Sequence, residues 1–489
     1  MSYDLAIIGG GINGTAIAAD AAGRGLRVFL CEKNDLASGT SSVSSKLIHG
    51  GLRYLEQYDF KLVRESLLER AILLQRAPHL VRPLSFVMPD HADYHSPWLI
   101  KLGLFLYDFL AHDKQLPRSK RISLSALPIP SHLKVVNKGF IYSDCWGNDA
   151  RLVIANAQLA RQKGAVIATC TELLSAIREK EYWSLDLSTG EKIQAKAIIN
   201  AAGPWADRVN QQLNRAASPR PNLRLVKGSH ILVKKFYTGS HAFVLQNQDD
   251  RIIFLIPFDD EFLLVGTTDV LYEGSLEHIN ISDDEINYLK KSVEDYFDIE
   301  IRSETIVWSY SGVRPLYDDH ENNPSKITRD YSIVIEDDNN LPLVTIYGGK
   351  LTTHRCLAEK MLKKIKNYFP SMSGPWTRKE ALPGGEISDY FAFLKQCKTH
   401  YPWLSEKLLN RYVSQYGTNI AHLLKNTAQL SDLGHYFGAT LYEKEVRYLI
   451  DYEWAKTADD ILWRRTKLGL YLSHDEVAGL KAKMFALEA

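Results

Sequence analysis

The sequence predicts an α/β protein of three parts: a discontinuous domain with a parallel sheet, an α+β domain with a mostly antiparallel sheet, and a C-terminal α-helical domain. A strand, an alanine-rich helix and a second strand follow one another before residue 32, which is the pattern of a βαβ unit. Two later apolar strands each run into glycine and then into a helical pattern, as buried parallel strands do. Alternating polar and apolar positions between residues 230 and 265 favour the antiparallel sheet.

The composition is that of an ordinary soluble globular protein. The chain has 489 residues, of which 45% are hydrophobic and 24% charged, and this length suggests two or three domains. Lys and Arg number 59 against 58 Asp and Glu, a formal net charge of +1, so the overall charge argues against nucleic-acid binding. The five cysteines are scattered and never spaced as C-x-x-C. We therefore expect neither a disulfide framework nor a metal site.

The N-terminal segment and the apolar runs predict the compartment. The first residues contain no basic n-region, apolar signal core or twin-arginine stretch. No segment offers the ~18 uninterrupted apolar residues of a membrane span. We expect a cytoplasmic protein that contacts a membrane from one side only.

The first βαβ unit carries a dinucleotide fingerprint. Residues 5–9 and 27–31 are the predicted strands, and residues 12–24 form the helix between them. Gly9 to Gly14 fit G-x-G-x-x-G between strand and helix, and Glu32 ends the second strand 18 residues after Gly14. Such glycines let a pyrophosphate approach the helix N-terminus, and the acid accepts hydrogen bonds from ribose hydroxyls. The fold is therefore Rossmann-like, and the alternative is a glycine turn without a ligand.

Two later segments favour FAD over NAD. Residues 195–200 and 341–347 are strands that end in small residues, and the second continues into Gly348 to Thr353. The helix that starts there would bring a partial positive charge to the flavin ring. A second G-x-G-x-x-G is absent from the sequence, so we expect electrons to leave to a quinone, oxygen or a protein.

The remaining segments complete the domain plan. Residues 230–233, 251–257 and 262–265 are predicted strands of the antiparallel sheet, and residues 371–386 are dense in Gly and Pro. We predict the FAD-binding domain at 1–75, 140–225 and 305–370, the substrate-binding cap domain at 76–139 and 226–304, a linker at 371–386, and the C-terminal helical domain at 387–489.

Long sequence runs are more specific than the glycine turn. These runs are Ile8–Gly14, Thr40–Leu55, Tyr142–Trp146, Lys227–His230, Gly266–Asp269, Ser311–Leu316, Gly348–Thr353 and Asp459–Lys467. Through them nearly the whole chain resembles the FAD-dependent glycerol-3-phosphate dehydrogenases, most closely the bacterial aerobic, respiratory type. Two positions depart from the family pattern, since Ala16 replaces a usual glycine and His354 a usual tyrosine.

The resemblance implies a reaction and its partners. It implies oxidation of sn-glycerol 3-phosphate to dihydroxyacetone phosphate, with hydride transfer from C2 to flavin N5 and electrons passed to ubiquinone or menaquinone. It also implies a homodimer at the inner face of the cytoplasmic membrane. One alternative is an oxidase that uses oxygen and releases hydrogen peroxide, and another is a catalytically inactive FAD-binding regulatory protein.

The resemblance and the residue chemistry together give the candidate site residues. The cofactor contacts are Gly9, Gly11, Ile12, Asn13, Gly14, Glu32, Thr40, Ser41, Ser42, Ser45, Lys46, Leu47, His49, Gly203, Gly349, Lys350, Leu351 and Thr352. The substrate contacts are Arg53, Tyr54, Arg314 and Thr268, because an arginine fork suits a phosphate. The catalytic candidates are Arg314, Lys350, His49 and His230. Either histidine or Lys350 could be the base, and the sequence leaves this choice open.

Two apolar, basic segments are candidates for membrane contact. Residues 97–110 are largely apolar and are followed by Lys114, Arg118, Lys120 and Arg121, as in an interfacial helix. Residues 360–369 place an apolar stripe opposite four lysines. For each segment the alternative is a helix docked on the protein core.

Overall fold

The protein was analysed as a computed structural model. It describes residues 1–55, 58–90, 97–111, 115–126, 133–134, 138–213, 223–249, 251–317 and 330–488, without the side chains of residues 53, 97 and 486–488. Among these residues, none of the helices combines the length and apolarity needed to cross a membrane.

The strands and helices follow one another along the whole chain. The strands are β1 Ser2–Ile8, β2 Val28–Cys31, β3 Leu47–Ile48, β4 Val81–Pro89, β5 Lys120–Ser123, β6 Lys138–Gly147, β7 Val166–Ala168, β8 Leu173–Arg178, β9 Trp183–Leu187, β10 Lys192–Asn200, β11 Leu223–Lys234, β12 Ala242–Gln246, β13 Ile252–Phe258, β14 Phe262–Gly266, β15 Val270–Leu271, β16 Ile306–Tyr317, β17 Ser332–Glu336, β18 Leu343–Tyr347, β19 Tyr436–Gly438 and β20 Leu441–Tyr442. The α-helices are α1 Ile12–Gly23, α2 Phe60–Arg76, α3 Pro97–Ala111, α4 Asp149–Gln162, α5 Ala206–Leu213, α6 Asp283–Glu294, α7 His354–Lys364, α8 Tyr390–His400, α9 Glu406–Tyr416, α10 Ile420–Leu423, α11 Glu443–Glu453 and α12 His474–Glu488.

The first sheet is the predicted Rossmann-like sheet. Its order is β17-β18-β10-β1-β2-β7, and β1 pairs in parallel with both β2 and β10. Small buried alanines let α1 lie close to the sheet beside α4 and α7. The register places Ile8 opposite Asn200, so the turns that follow β1 and β10 meet at the same sheet edge. The discontinuous α/β domain predicted from the sequence is confirmed.

The second sheet is mostly antiparallel. Its order is β15-β11-β14-β13-β12-β4-β6-β3, with β16 on β11 and β5 on β6, and the predicted strands at 230–233, 251–257 and 262–265 lie within β11, β13 and β14. The predicted ranges assign β3, β6 and β16 to the FAD-binding domain, but all three strands pair within this sheet. The strands β6 and β16 are buried over much of their length, so their apolar pattern does not distinguish the two sheets.

The segment that precedes the C-terminal helical domain packs onto the first domain. Residues 371–386, predicted as a linker, contribute Met372 and Leu382 to the core of the first domain. The Trp376 indole Nε1 donates a hydrogen bond of 3.1 Å to the Asp20 carbonyl. Beyond this segment, α8 to α12 enclose a separate apolar core and a small sheet of β19 and β20.

The two helices considered for membrane contact differ in exposure. On α3 one face is exposed while Leu104 and Tyr107 are buried on the other; the exposed side chains are Trp98, Leu99, Leu102, Phe105 and Phe109. Residues 361–369 instead bury their apolar side chains in the first-domain core, so the docked helix is the correct interpretation there. Of the basic residues after α3, Lys114 lies outside the described residues.

Candidate active site

A cavity of about 600 Å³ lies where the two sheets meet. It is lined by the turns after β1, β2, β10 and β18 on one side and by residues of β11, β13 and β16 on the other. The carboxyl ends of parallel strands are the usual place for a ligand in such a sheet. The cavity therefore has a dinucleotide end on the first sheet and a second end on the antiparallel sheet.

The glycine turn is built for close contact with a ligand. Gly9 has φ +110°, and a Cβ there would lie 2.6 Å from the Ala201 carbonyl oxygen. A Cβ at Gly14 would lie 1.9 Å from the Gly9 carbonyl oxygen. Larger residues would therefore push the turn, the helix and the neighbouring strand apart. Gly11 has no side chain with which to cap α1, and the Ser41 hydroxyl accepts a 3.0 Å hydrogen bond from the Ile12 N–H instead. Gly11, Ile12 and Asn13 line the cavity, so the positive end of this helix faces it.

Glu32 closes the other side of this turn. Its two carboxylate oxygens accept hydrogen bonds from the backbone N–H groups of Gly10, at 2.7 Å, and Asn34, at 2.9 Å. Burial raises the pKa of this carboxyl despite these hydrogen bonds. The carboxylate lines the cavity and keeps unused lone pairs for ligand hydroxyls.

A second glycine turn lies directly against the first and also lines the cavity. Gly348 and Gly349 have φ +74° and +102°, and the Asn13 side-chain amide donates a 3.1 Å hydrogen bond to the Gly348 carbonyl. The Asn13 Oδ1 is buried and accepts no hydrogen bond from any described residue. A buried acceptor of this kind fits a missing donor from a bound group.

His354 begins the helix after this turn but does not line the cavity. Its Nδ1 lies 2.7 Å from the Leu351 carbonyl and its Nε2 lies 3.4 Å from the Asn156 amide nitrogen. Burial lowers the pKa of this imidazole to about 3. His354, which replaces the usual tyrosine, is thus a neutral, hydrogen-bonded residue that lies next to the second glycine turn but outside the cavity lining.

Arg314 of β16 lines the end of the cavity that lies on the antiparallel sheet. It forms an ion pair with Asp269, and its Nη2 donates to the Thr267 hydroxyl at 2.9 Å. A Cβ at Gly228 would lie 2.4 Å from the guanidinium, so the glycine leaves room for it. The side chain lines the cavity and is 21% exposed. The ion pair holds the guanidinium fork in one orientation before a substrate arrives.

The three candidate bases all line this cavity. His230 is buried, its Nε2 lies 2.9 Å from the Ser45 hydroxyl, and its ring stacks on Tyr310. Burial and the neighbouring cations Arg314 and Lys46 hold the pKa of His230 well below 6.5, so its ring is neutral. The His49 ring packs edge-on against Phe254, with centroids 6.3 Å apart. The Lys350 ammonium lies 3.8 Å from the centre of the Tyr54 ring, a cation–π contact.

Most of the predicted site residues meet at this cavity. Four of them do not line it: Gly14, Ser42, Lys46 and Thr268. The buried Lys46 is paired with Asp149 at 2.8 Å. The Thr268 hydroxyl donates to Glu285 at 2.7 Å, so the structure corrects the prediction that this side chain contacts substrate. The side chain of Arg53 lies outside the described residues, and its assignment stays a prediction.

Two groups at the site were missed by the sequence reasoning. The first is Asp269, the ion-pair partner of Arg314, which directly follows the predicted Thr268 in the run Gly266–Asp269. The second group is a buried network in which the Tyr107 hydroxyl accepts the Gly50 N–H at 2.8 Å and donates to Asp144 at 2.7 Å. Arg70 completes this network with a 2.6 Å ion pair to Asp144. Gly50 and Asp144 lie in the runs Thr40–Leu55 and Tyr142–Trp146, but the four members are far apart in sequence, so only the fold reveals that they meet.

Comparisons with known proteins agree with this geometry. Residues 4–355 match the family described as FAD dependent oxidoreductase, and residues 375–486 match the C-terminal domain of alpha-glycerophosphate oxidase. The chain is 47% identical over 484 residues to the aerobic glycerol-3-phosphate dehydrogenase of Escherichia coli, covering 97% of this chain and 95% of that protein. It is 48% identical over 483 residues to the D-erythritol 1-phosphate dehydrogenase of Brucella abortus, covering 97% and 96%.

A solved structure supports the same assignment. The glycerol-3-phosphate dehydrogenase of Bacillus halodurans, complexed with FAD, superposes with a TM-score of 0.75 at 25% identity, over 99% of this chain and 89% of that one. The glycine turns, Glu32 and the buried Asn13 oxygen fit such a cofactor. The predicted family, fold class and cofactor are thus confirmed. The chain belongs to the family of FAD-dependent oxidoreductases that contains the bacterial glycerol-3-phosphate dehydrogenases, and FAD is its cofactor.

Proposed function

We propose that the protein oxidises sn-glycerol 3-phosphate to dihydroxyacetone phosphate. The observation that carries this proposal is the fixed Arg314 fork beside a neutral histidine at the end of the FAD cavity. Its relatives in Escherichia coli and Pseudomonas aeruginosa are named glycerol-3-phosphate dehydrogenases. When bound, FAD supplies the two-electron acceptor.

Arg314 binds and orients the substrate in this proposal. Its guanidinium is a permanent cation with several donors, and it lies between Asp269 and the Thr267 hydroxyl. A substrate oxygen placed against it gains charge as the C2 hydroxyl loses its proton, so the interaction strengthens in the transition state. Arg53 remains the proposed phosphate contact, in keeping with the family resemblance.

His230 takes the C2 hydroxyl proton in this proposal. The proton would go to Nε2, which lies 2.9 Å from the Ser45 hydroxyl. The ring is neutral and so can accept a proton, but burial and the nearby cations that lower its pKa also make it a weaker base than a free imidazole. Ser45 lines the cavity, so this nitrogen lies beside the space that a substrate would occupy. His49 lines the same cavity but packs its ring against Phe254. We assign Lys350 to charge stabilisation near the cofactor, because it lies on the second glycine turn.

Anaerobic reduction of the purified yellow protein tests the substrate. We expect sn-glycerol 3-phosphate to bleach the flavin absorbance, and glycerol and lactate to leave it unchanged because they lack the phosphate that arginine recognises. D-Erythritol 1-phosphate belongs in the panel because of the Brucella relative. Bleaching by D-erythritol 1-phosphate but not by sn-glycerol 3-phosphate would contradict the proposed substrate.

Reoxidation of the reduced flavin tests the electron acceptor. Fast reoxidation by a soluble quinone and slow reoxidation by air would favour the dehydrogenase over the oxidase.

We infer that the protein docks on the inner face of the cytoplasmic membrane through α3 and passes electrons to quinone there. The exposed side chains recur every three or four residues along one helix face, as in an interfacial helix. Arg118, Lys120 and Arg121 follow the helix and suit anionic headgroups. The opposite face reaches the flavin cavity, because the Tyr107 hydroxyl binds the backbone beside it. The expected homodimer stays a prediction.

Polar substitutions on α3 should release the protein from membranes. Changing Trp98, Leu102 and Phe105 together to serine should lower binding to phosphatidylglycerol vesicles by at least ~100-fold, because each large apolar side chain contributes roughly 1.5–3 kcal/mol on burial. Sedimentation with vesicles in high salt measures this effect. The control changes Phe391 and Phe485, which are 80% and 79% exposed on other helices, to serine. Equal retention of the α3 variant and wild type would exclude α3 as the docking surface.

A further inference from the structure

The loop that follows Glu32 lines the FAD cavity from its outer side. Its cavity-lining residues are Lys33, Asn34, Ser38, Gly39 and Thr40. Asp35, in the middle of this loop, is not among the cavity-lining residues and is buried. Its carboxylate binds two arginines of the C-terminal domain, Arg464 and Arg465. A residue of the cofactor loop is therefore held by side chains that lie about 430 positions later in the chain.

The contacts between Asp35 and these arginines have good geometry. Arg465 donates from Nη1 and Nη2 to the two carboxylate oxygens, at 2.7 Å each, and Arg464 donates from Nε at 2.5 Å. The Arg465 side chain is 0% exposed. A bidentate, desolvated arginine–carboxylate pair fixes both position and angle. Removing Arg465 leaves the buried carboxylate with Arg464 alone, and removing the Asp35 charge leaves the buried Arg465 guanidinium without its bidentate partner. Either change destabilises the local conformation.

The segment that carries Arg464 and Arg465 is itself held by several contacts. The two arginines end the π-helix Asp460–Arg465, a type of helix that is frequent at functional sites. Arg465 also donates to the Glu453 carbonyl at 2.6 Å, and Arg464 is paired with Asp460. Trp463, which precedes Arg464, stacks on Trp308 of β16, with ring centroids 5.0 Å apart. This segment is anchored both in its own domain and on the antiparallel sheet.

Inside the loop, the position of Asp35 is coupled to the glycine turn. The Ser38 N–H binds the Asp35 carbonyl at 3.2 Å, and the Ala37 N–H binds the Gly10 carbonyl at 3.1 Å. The Asn34 carbonyl accepts a 2.8 Å hydrogen bond from the Cys170 N–H. If Asp35 left the arginines to regain water, it would pull on the backbone that forms the cavity wall.

We propose that the C-terminal domain controls how tightly FAD is held, because Arg464 and Arg465 position the 33–40 loop through Asp35. The two arginines are positioning residues that line no part of the cavity. This role concerns retention of the cofactor and is independent of which phosphorylated alcohol is oxidised.

The test measures FAD affinity in full-length variants. Arg465→Met removes the bidentate partner, and Asp35→Asn is the milder second variant. Arg411→Met is the matched control, because Arg411 forms a buried, bidentate pair with Glu445 at 2.6 Å wholly inside the C-terminal domain. Each holoprotein is stripped of FAD and titrated with FAD while the quenching of flavin fluorescence is followed. Hydrogen exchange at the Ala37 and Ser38 amides is measured in parallel.

We expect the FAD dissociation constant of both Arg465→Met and Asp35→Asn to rise at least about tenfold, as when a binding-competent loop is populated only about a tenth of the time. The Ala37 and Ser38 amides should exchange faster in these variants. Arg411→Met should bind FAD as the wild type does. FAD affinity within twofold of wild type in the loop variants would overturn the proposal, and so would equal weakening in the Arg411 control. If Arg465→Met fails to fold, the same comparison between Asp35→Asn and the control decides.

Discussion

Replacing Arg314 by alanine is expected to lower kcat/KM for sn-glycerol 3-phosphate by ~1000-fold while FAD remains bound. The substitution removes the guanidinium that meets the developing negative charge. It also removes the cation that pairs with the Asp269 carboxylate at the cavity wall, so the local potential becomes less favourable for a phosphorylated substrate. Steady-state kinetics with a soluble quinone measures the fall in kcat/KM. The visible spectrum of the purified variant shows whether FAD is still bound.

Two further variants show whether this loss comes from the site. Arg314→Lys keeps the charge but loses the planar fork, so its kcat/KM should fall between those of wild type and the alanine variant. Arg178→Ala is the matched control, since Arg178 is 19% exposed, is paired with Asp338 and does not line the cavity. Near-normal turnover in Arg314→Ala, or an equal loss in Arg178→Ala, would remove Arg314 from the proposed chemistry.

Replacing His230 by asparagine is expected to slow flavin reduction by sn-glycerol 3-phosphate by ~100-fold, the usual contribution of a positioned base. Asparagine can still hydrogen-bond to Ser45, but it cannot take the proton. Stopped-flow mixing under anaerobic conditions measures the rate directly, apart from later transfer to an acceptor.

The comparison with other histidines identifies the base. His49→Asn should slow flavin reduction less than His230→Asn, because we assign the proton to His230. His241→Asn is the control, since burial also lowers the pKa of His241, to about 4, while its ring lies outside the cavity lining. A larger effect in His49→Asn than in His230→Asn would transfer the role of base to His49.

The sequence predicts the first sheet well because its signals are local. The strand, glycine turn and helix at Gly9 to Gly14 lie within one βαβ unit, and the terminal acid at Glu32 follows directly. The second sheet was predicted less well. The strands β6 and β16 gain their neighbours from distant parts of the chain, and a short buried apolar run does not reveal its partner strand.

The site shows the same limit at the level of single residues. Arg314, His230 and Lys350 were predicted, since each lies in a run shared with the family and reaches the cavity. Thr268 lies between β14 and β15, and its hydroxyl donates to Glu285 instead of lining the cavity, which its place in the run does not reveal. Asp35 carries no sequence signal at all, because its role depends on arginines from another domain.

The residues that form the cofactor site are synthesised at widely separated times. The Asn13 amide binds Gly348, 335 residues later, and Asp35 binds Arg465, 430 residues later. At ~5–20 residues per second, a ribosome needs roughly 25 to 90 s to reach that arginine. Until then the nascent N-terminal strand and helix carry an open glycine turn without its opposing wall. We therefore expect the cofactor site to be completed only near the end of translation, once the segment just before α12 has been made.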